Sequence, residues 1–264
     1  MGEIVRVTIV RHGETEHNKL GIVQGHLDIP LNESGIRQAK VVADFLAQAN
    51  ARSGNSGCTT PDSNESIGVG PRIFQSAFTS DLSRAHKTAQ IIVDKQNLIR
   101  SSDRLELIAD ERIRERHLGD LQGTSPSPEQ RAFFQSTMEP ISKLSSRLLS
   151  FWDEMLESST SQREIRDILY VSHGASTKCL VDALIRQRGY GVDFSLSSIS
   201  DIPGLENRTF VASNLSHARI PNCSITTVLC YKVNESWRGV IVDYGADKHL
   251  MTASTNIDNV DVVE

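Results

Sequence analysis

The chain has 264 residues, 38% of them hydrophobic and 23% charged. That is long and apolar enough to bury a core, and it excludes disorder as a class. Twenty-eight basic against 33 acidic residues leave a net charge of −5, and no Lys/Arg block offsets it, so nucleic acid is not an expected partner. An anionic substrate would have to meet positive charge gathered locally in a cleft.

In chain order, Ile4 to Val10 alternates and is β-branched, which predicts a strand. "LNESG" (Leu31–Gly35) is turn and N-cap chemistry. It leads into a helix whose apolar face carries Ile36, Ala39, Ala43 and Leu46. Residues 50–71 are rich in Gly, Ser, Asn and Thr without apolar period, and read as an exposed insertion. "RIFQSAFTS" (Arg72–Ser80) reads as a second strand and Asp81 to Gln96 as the helix after it. Leu105 to Leu121 reads as irregular. Glu129 to Ser158 reads as helix, broken at Pro140.

"DILYVSHG" predicts a third strand and "ASTKCLVDALIRQ" its following helix. Residues 189–221 form a second polar excursion. "SITTVLCYKV" and "RGVIVDYG" predict a hairpin through "NESW". From Asp247 onward the chain reads as loosely held, so residues 1–250 are expected to form one domain and 251–264 a tail. Strands alternating with helices imply an α/β fold, a mostly parallel central sheet flanked by helices in three layers. No Gly-x-Gly-x-x-Gly follows the first strand, which argues against a dinucleotide site.

No apolar run approaches a membrane span. "MGEIVRVTIV" lacks a secretory pattern, and Arg6 stands where myristoylation needs Ser or Thr. The cytoplasm is therefore the expected location, and the six Asn-x-Ser/Thr sequons carry no meaning there. Cys58, Cys179, Cys223 and Cys230 have no C-x-x-C spacing, so buried or incidental thiols are expected rather than zinc or redox chemistry. The sequence leaves the oligomeric state open.

In a sheet of this kind, ligands bind beyond the carboxyl ends of the strands. After the first strand come Arg11, His12 and Gly13. After the second come Thr79 and Ser80, with Arg84 one helical turn on. After the third come Ser172, His173 and Gly174. "TIVRHG" and "LYVSHG" echo each other. Two imidazoles and two guanidiniums are thus expected at one sheet edge, and guanidinium suits phosphate oxygens. An imidazole among arginines resists protonation and keeps a lone pair that can attack phosphorus. The arginines and the second His would stabilise charge on the equatorial oxygens. Glu115 in "RERHLG" is the candidate acid for the leaving alkoxide. No cofactor is called for, and no carboxylate cluster offers a magnesium site. Arg116 and Arg131 can be read as contacts to a second phosphate or as a solvated face.

These residues resemble the signature of the histidine phosphatase, or phosphoglycerate mutase-like, superfamily. The resemblance runs in order through "VRHGETEHN", "GIVQGHLDIPLNESG", "FTSDLSRAHKTA", "RERHLGDLQG", "VSHG" and "IPNCSIT". It implies that His12 is the phosphorylated nucleophile. Arg11, Arg84 and His173 would bind the phosphoryl group, and Glu115 would donate the proton. By the same resemblance Asn18, Gln24, Gly25 and Gly174 contact the substrate. Within the superfamily the chain is most similar to the fructose-2,6-bisphosphatase and TIGAR-type branch. The related mutases carry a long insertion after "ERHLGDLQG" that is absent here, and "TMEPISKLSSR" replaces a Pro-Gly-Gly-Glu-Ser stretch. The resemblance therefore implies hydrolysis of a small phosphorylated metabolite, with a sugar bisphosphate first. A broad-specificity monoester phosphatase, a phosphoglycerate mutase and a non-catalytic phospho-ligand binder follow in that order.

Overall fold

The structure is a computed structural model and describes residues 3–47, 72–100, 103–158, 165–196, 215 and 218–251. The expected insertion at 50–71, most of the second excursion and residues 252–264 lie outside the described residues.

β1 (Ile4–Arg11) is buried along its whole length. A strand covered on both faces reads as a β-branched run rather than a clean alternation. The long cation in its middle, Arg6, is paired through Nε and Nη2 with both oxygens of Asp167, at 2.6 and 2.9 Å. β1 lies between β4 (Ile165–Ser172), which it pairs in parallel, and β6 (Ile225–Val233), which it pairs antiparallel. β2 (Ser76–Thr79), β3 (Leu107–Ala109), β5 (Gly191–Val192) and β7 (Ser236–Ala246) complete a seven-stranded sheet of order β3-β2-β4-β1-β6-β7-β5. The β2–β3, β2–β4 and β5–β7 pairings are parallel and β6–β7 is antiparallel. The sheet is mixed, with the parallel part holding the predicted strand ends.

Helices cover both faces. α2 (Glu33–Ala47) and α3 (Ser83–Leu98) pack Ala39, Val42, Leu46, Ala85, Ala89 and Ile92 against Val10, Leu169 and Val171. α5 (Ile141–Glu157) and α6 (Gly174–Arg188) pack Leu148, Trp152, Met155, Leu180 and Leu184 against Val5, Val7 and Ile9. Pro140 does break the predicted long helix: α4 (Pro128–Phe133) ends well before α5 begins. The hairpin is tighter than expected. Its loop is Asn234–Glu235, both at positive φ, and Ser236 and Trp237 already belong to β7.

Three expectations need correction. The stretch around Leu105–Leu121 is not wholly irregular, because β3 adds an edge strand there. The second excursion begins with a sheet strand, β5. Residues 247–251 are not loose: α7 (Lys248–Met251) buries Leu250, and His249 stacks on Phe45 of α2 at 5.0 Å. His249 Nε2 also donates to the Cys223 carbonyl at 2.9 Å.

Candidate active site

Parallel register sets the centre of the site. Arg11 pairs with Ser172 at the last rung of β1 and β4, so His12 and His173 emerge side by side. Their ring centroids are 5.1 Å apart in an edge-on arrangement. The His12 amide donates to the Ser172 carbonyl at 2.9 Å. The first turn of α3 brings in Arg84, and the turn after β1 supplies α1 (Glu16–Lys19) with Asn18.

His12 is held in one tautomer. Its Nδ1 lies 2.7 Å from the Gly13 carbonyl oxygen, which can only accept. Nδ1 therefore carries the hydrogen, and Nε2 keeps the lone pair. The backbone beneath is clamped. The Gly13 amide donates to Thr88 Oγ1 of α3 at 3.0 Å, and the Glu14 amide to Gln38 Oε1 of α2 at 2.8 Å. Gly13 and Gly35 are where α2 crosses this turn. A Cβ on Gly13 would overlap the Gly35 carbonyl, and one on Gly35 the Glu14 carbonyl.

Arg11 and Arg84 flank the two rings. Arg11 donates through Nη1 to the Ile220 carbonyl at 2.6 Å. Arg84 is buried and donates to the carbonyls of Leu27 and Gly25, each at 2.8 Å. Gly25 sits at φ +53°, and a Cβ there would strike Gln122. Burial lowers the Arg84 pKa to about 10, opposed by Glu115 and Asp28, which leaves the guanidinium cationic at neutral pH. Among the buried side-chain atoms of the described residues without a hydrogen-bond partner are Arg84 Nε and both ring nitrogens of His173. Native proteins rarely leave such atoms orphaned without a ligand to complete them.

Burial, then Arg84 and Arg11, push the His12 pKa well below its ordinary 6.5, against a smaller upward pull from the Gly13 carbonyl. Burial, Arg84, His12 and Arg11 do the same to His173. Both rings are neutral at neutral pH. As pH falls below about 6.5, the unfolded chain takes up these protons before the folded one does, so folding stability is full above that value and declines below it. Each His contributes a slope of at most about 1.4 kcal/mol per pH unit. Urea melts at about pH 7.5 and about pH 5 should show the wild type losing more stability than the His12→Gln, His173→Gln double variant. Equal losses would contradict neutral burial of these rings.

Glu115 reaches the site from the segment after β3. Its Oε1 accepts from the amides of Arg116 (2.8 Å) and Ser176 (2.9 Å), and lies 3.0 Å from Ser176 Oγ. Its Oε2 accepts from the Ala175 amide at 3.1 Å. The carboxyl is thus pinned at the first turn of α6.

A cavity of about 370 Å³ joins these groups. Arg11, His12, Asn18, Gln24, Gly25, Arg84, Glu115 and Gly174 all line it, so each predicted site residue reaches the same space except His173, which lies against His12 one layer deeper. Thr15 Oγ1 lies 3.0 Å from Gln24 Oε1 and 3.1 Å from Asn18 Oδ1. With their oxygens turned to Thr15, both amides keep their NH₂ groups as donors for the cavity. Ile22, Val23, Leu118 and Met138 give the cavity an apolar lining, and Arg116 and Arg131 line it too.

Several contributors have no role in the sequence reading. Asn222 is buried in "IPNCSIT" and donates to the His12 carbonyl at 3.0 Å. Gln122 accepts from the His26 amide at 2.8 Å and ties the Gly25 loop to the Glu115 segment. Thr88, Gln38 and Arg147 also act on backbone atoms, which leaves no spacing pattern to find. Thr88, Gln122 and Asn222 lie in "FTSDLSRAHKTA", "RERHLGDLQG" and "IPNCSIT", but those motifs do not say which backbone atoms the side chains hold. Among the described residues, no group of three or more His, Cys, Asp or Glu side chains is placed to hold a metal ion, and no helix is long and apolar enough to cross a membrane.

The sequence matches a family with this arrangement: the histidine phosphatase superfamily (branch 1) aligns with residues 7–54 and 69–193. The chain belongs to that superfamily, and its class is that of the phosphoric monoester hydrolases. It is 26% identical over 255 residues to probable phosphatase C1687.21 of Schizosaccharomyces pombe, covering 95% of this chain and 98% of the relative. It is 36% identical over 121 residues to phosphoglycerate mutase-like protein 4 of Arabidopsis thaliana, covering 46% of this chain and 40% of the relative. It is 37% identical over 118 residues to the fructose-2,6-bisphosphatase TIGAR of Xenopus tropicalis, covering 44% and 34%. The chain thus spans well under half the length of these last two. The fold is that of the mycobacterial glucosyl-3-phosphoglycerate phosphatase solved with VO3, with TM-score 0.62 and 22% identity over 92% of this chain and 99% of the other.

Proposed function

We propose that the protein hydrolyses a phosphate monoester of a small metabolite through a phosphohistidine on His12, and that the substrate is a sugar bisphosphate of the fructose 2,6-bisphosphate kind. The observation that carries the chemistry is the His12 tautomer: Nδ1–H is tied to Gly13 O, so Nε2 has its lone pair free. In the first step Nε2 attacks phosphorus and the P–O bond to the leaving group breaks. Glu115, carrying a proton, delivers it to the departing oxygen. In the second step water attacks the phosphohistidine, Glu115 takes a proton from it, and the P–N bond breaks to release phosphate. Arg11, Arg84 and His173 stabilise charge on the phosphoryl oxygens in both steps, and Asn18 and Gln24 offer amide donors.

The cavity volume suits a metabolite rather than a phosphoprotein loop. Arg116 and Arg131, in the cavity lining, support a second anionic group on the substrate. TIGAR's place among the relatives agrees with that choice. The reading is of one catalytic domain in the cytoplasm, with a small phosphorylated metabolite as its only required partner. A broad-specificity monoester phosphatase is the second reading, favoured by the apolar lining, which would hold varied leaving groups without directional contacts.

The deciding experiment is phosphate release from sugar bisphosphates, sugar monophosphates, phosphoglycerates and p-nitrophenyl phosphate. A kcat/KM at least about tenfold higher for one bisphosphate supports the first reading. Even release across the panel moves the assignment to the generalist. Phosphoryl transfer between phosphoglycerates in place of release makes the protein a mutase.

A further inference from the structure

Arg147 lies on α5, does not line the cavity, and spends three of its five N–H groups on residues 112–115 and the other two on Glu139. Nη1 donates to the carbonyls of Arg112 (2.6 Å) and Arg114 (2.8 Å). Nη2 donates to the Glu115 carbonyl and to Glu139 Oε2, both at 2.8 Å. Nε donates to Glu139 Oε1 at 2.8 Å. Glu139 is buried and balances the charge, so the guanidinium sits there without an uncompensated cation.

The same peptide is gripped from a second side. His26 Nε2 lies 2.8 Å from the Glu115 carbonyl and, facing an acceptor, carries its hydrogen toward it. His26 follows Gly25, whose carbonyl receives Arg84. The backbone of the acid is therefore fixed to α5 by one residue and to the loop beneath the phosphoryl-binding arginine by another. The Glu115 side chain is meanwhile fixed to α6 through the Ala175 and Ser176 amides.

We infer that Arg147 is a positioning residue for the proton transfer: its three carbonyl contacts set the place of Glu115 relative to His12, with His26 as the second brace. The inference rests on Glu115 being the general acid. The planar fork is essential to it, because a lysine offers a single mobile point charge that cannot span the carbonyls of Arg112, Arg114 and Glu115 together. In the first step, which kcat/KM reports without the later hydrolysis of the phosphohistidine, a displaced acid harms only the departure of a poor leaving group, since p-nitrophenolate leaves with little need of a proton. Simple loss of stability would instead lower both rates together through the amount of folded enzyme.

The test is kcat/KM for an alkyl phosphate and for p-nitrophenyl phosphate with wild type, Glu115→Gln, Arg147→Lys and His26→Ala. The amount of folded enzyme is taken from circular dichroism. Arg147→Lys keeps the charge opposite Glu139, and His26→Ala starts from a half-buried position, so folding does not decide the result. Arg147→Lys should lose about 10- to 100-fold on the alkyl phosphate and no more than about threefold on p-nitrophenyl phosphate. His26→Ala should show the same split at about 3- to 10-fold. A Glu115→Gln split with Arg147→Lys falling equally on both substrates, or on neither, overturns the inference alone. No split in Glu115→Gln overturns the acid assignment and the inference with it.

Discussion

Turnover should vanish in His12→Ala, with a loss on the order of 10⁴-fold or more in kcat, because the variant lacks the Nε2 lone pair that forms the covalent intermediate. His173, 5.1 Å away between ring centroids, is the only other imidazole at the centre among the described residues, and it lies one layer deeper. Binding should survive far better than turnover. Arg11 and Arg84 are anchored through carbonyls of Ile220, Leu27 and Gly25, none of which depends on the His12 ring. Rapid quenching with ³²P-labelled substrate should trap a base-stable, acid-labile phosphoprotein in the wild type and none in the variant. A labelled variant would place the nucleophile elsewhere.

Arg84→Ala should cost about 2–4 kcal/mol in kcat/KM, a fall of roughly 30- to 1,000-fold. Two losses combine. The buried Nε–H has no protein partner and is one of the donors left for a phosphoryl oxygen. The two Nη groups hold the carbonyls of Gly25 and Leu27, so their removal also frees the loop that carries Gln24. Arg84→Lys should recover little, because one ammonium cannot satisfy two carbonyls and a phosphoryl oxygen in fixed geometry. Steady-state kinetics on the best substrate of the panel checks both variants. A fall smaller than about fivefold for Arg84→Ala would remove it from the phosphoryl site.

The centre of this site was legible because its chemistry sits at strand ends. A β-branched run that stops at Arg-His-Gly, and a second that stops at Ser-His-Gly, fix two imidazoles once the strands pair in parallel, as β1 and β4 do. The longer elements were equally readable from period and breakers, Pro140 among them. Short elements were not. β3 has only Leu107–Ala109, with exposed side chains, and exists because β2 offers it an edge. α1 is a single turn held by the reciprocal cap between Thr15 and Asn18, and α7 is held by Phe45 and the Cys223 carbonyl. Sequence periodicity does not encode contacts of that kind. The braces of the site escaped for a related reason. Asn222, Gln122, His26 and Arg147 bind backbone carbonyls or amides, so even where they fall inside a recognisable motif the sequence does not mark what they hold.

The crossing of α2 over the His12 turn has a consequence for transplanting this chemistry. α2 places no side chain in the cavity, yet Gly35 fills the space over Gly13, and Gln38 and Asn32 hold Glu14 by its backbone and carboxylate. The eight residues of "RHGETEHN" are therefore not a portable loop. The smallest unit able to present His12 in its working tautomer includes a strand and two helices far apart in the chain, and a graft that carries the motif without Gly35 and Thr88 carries the letters without the geometry.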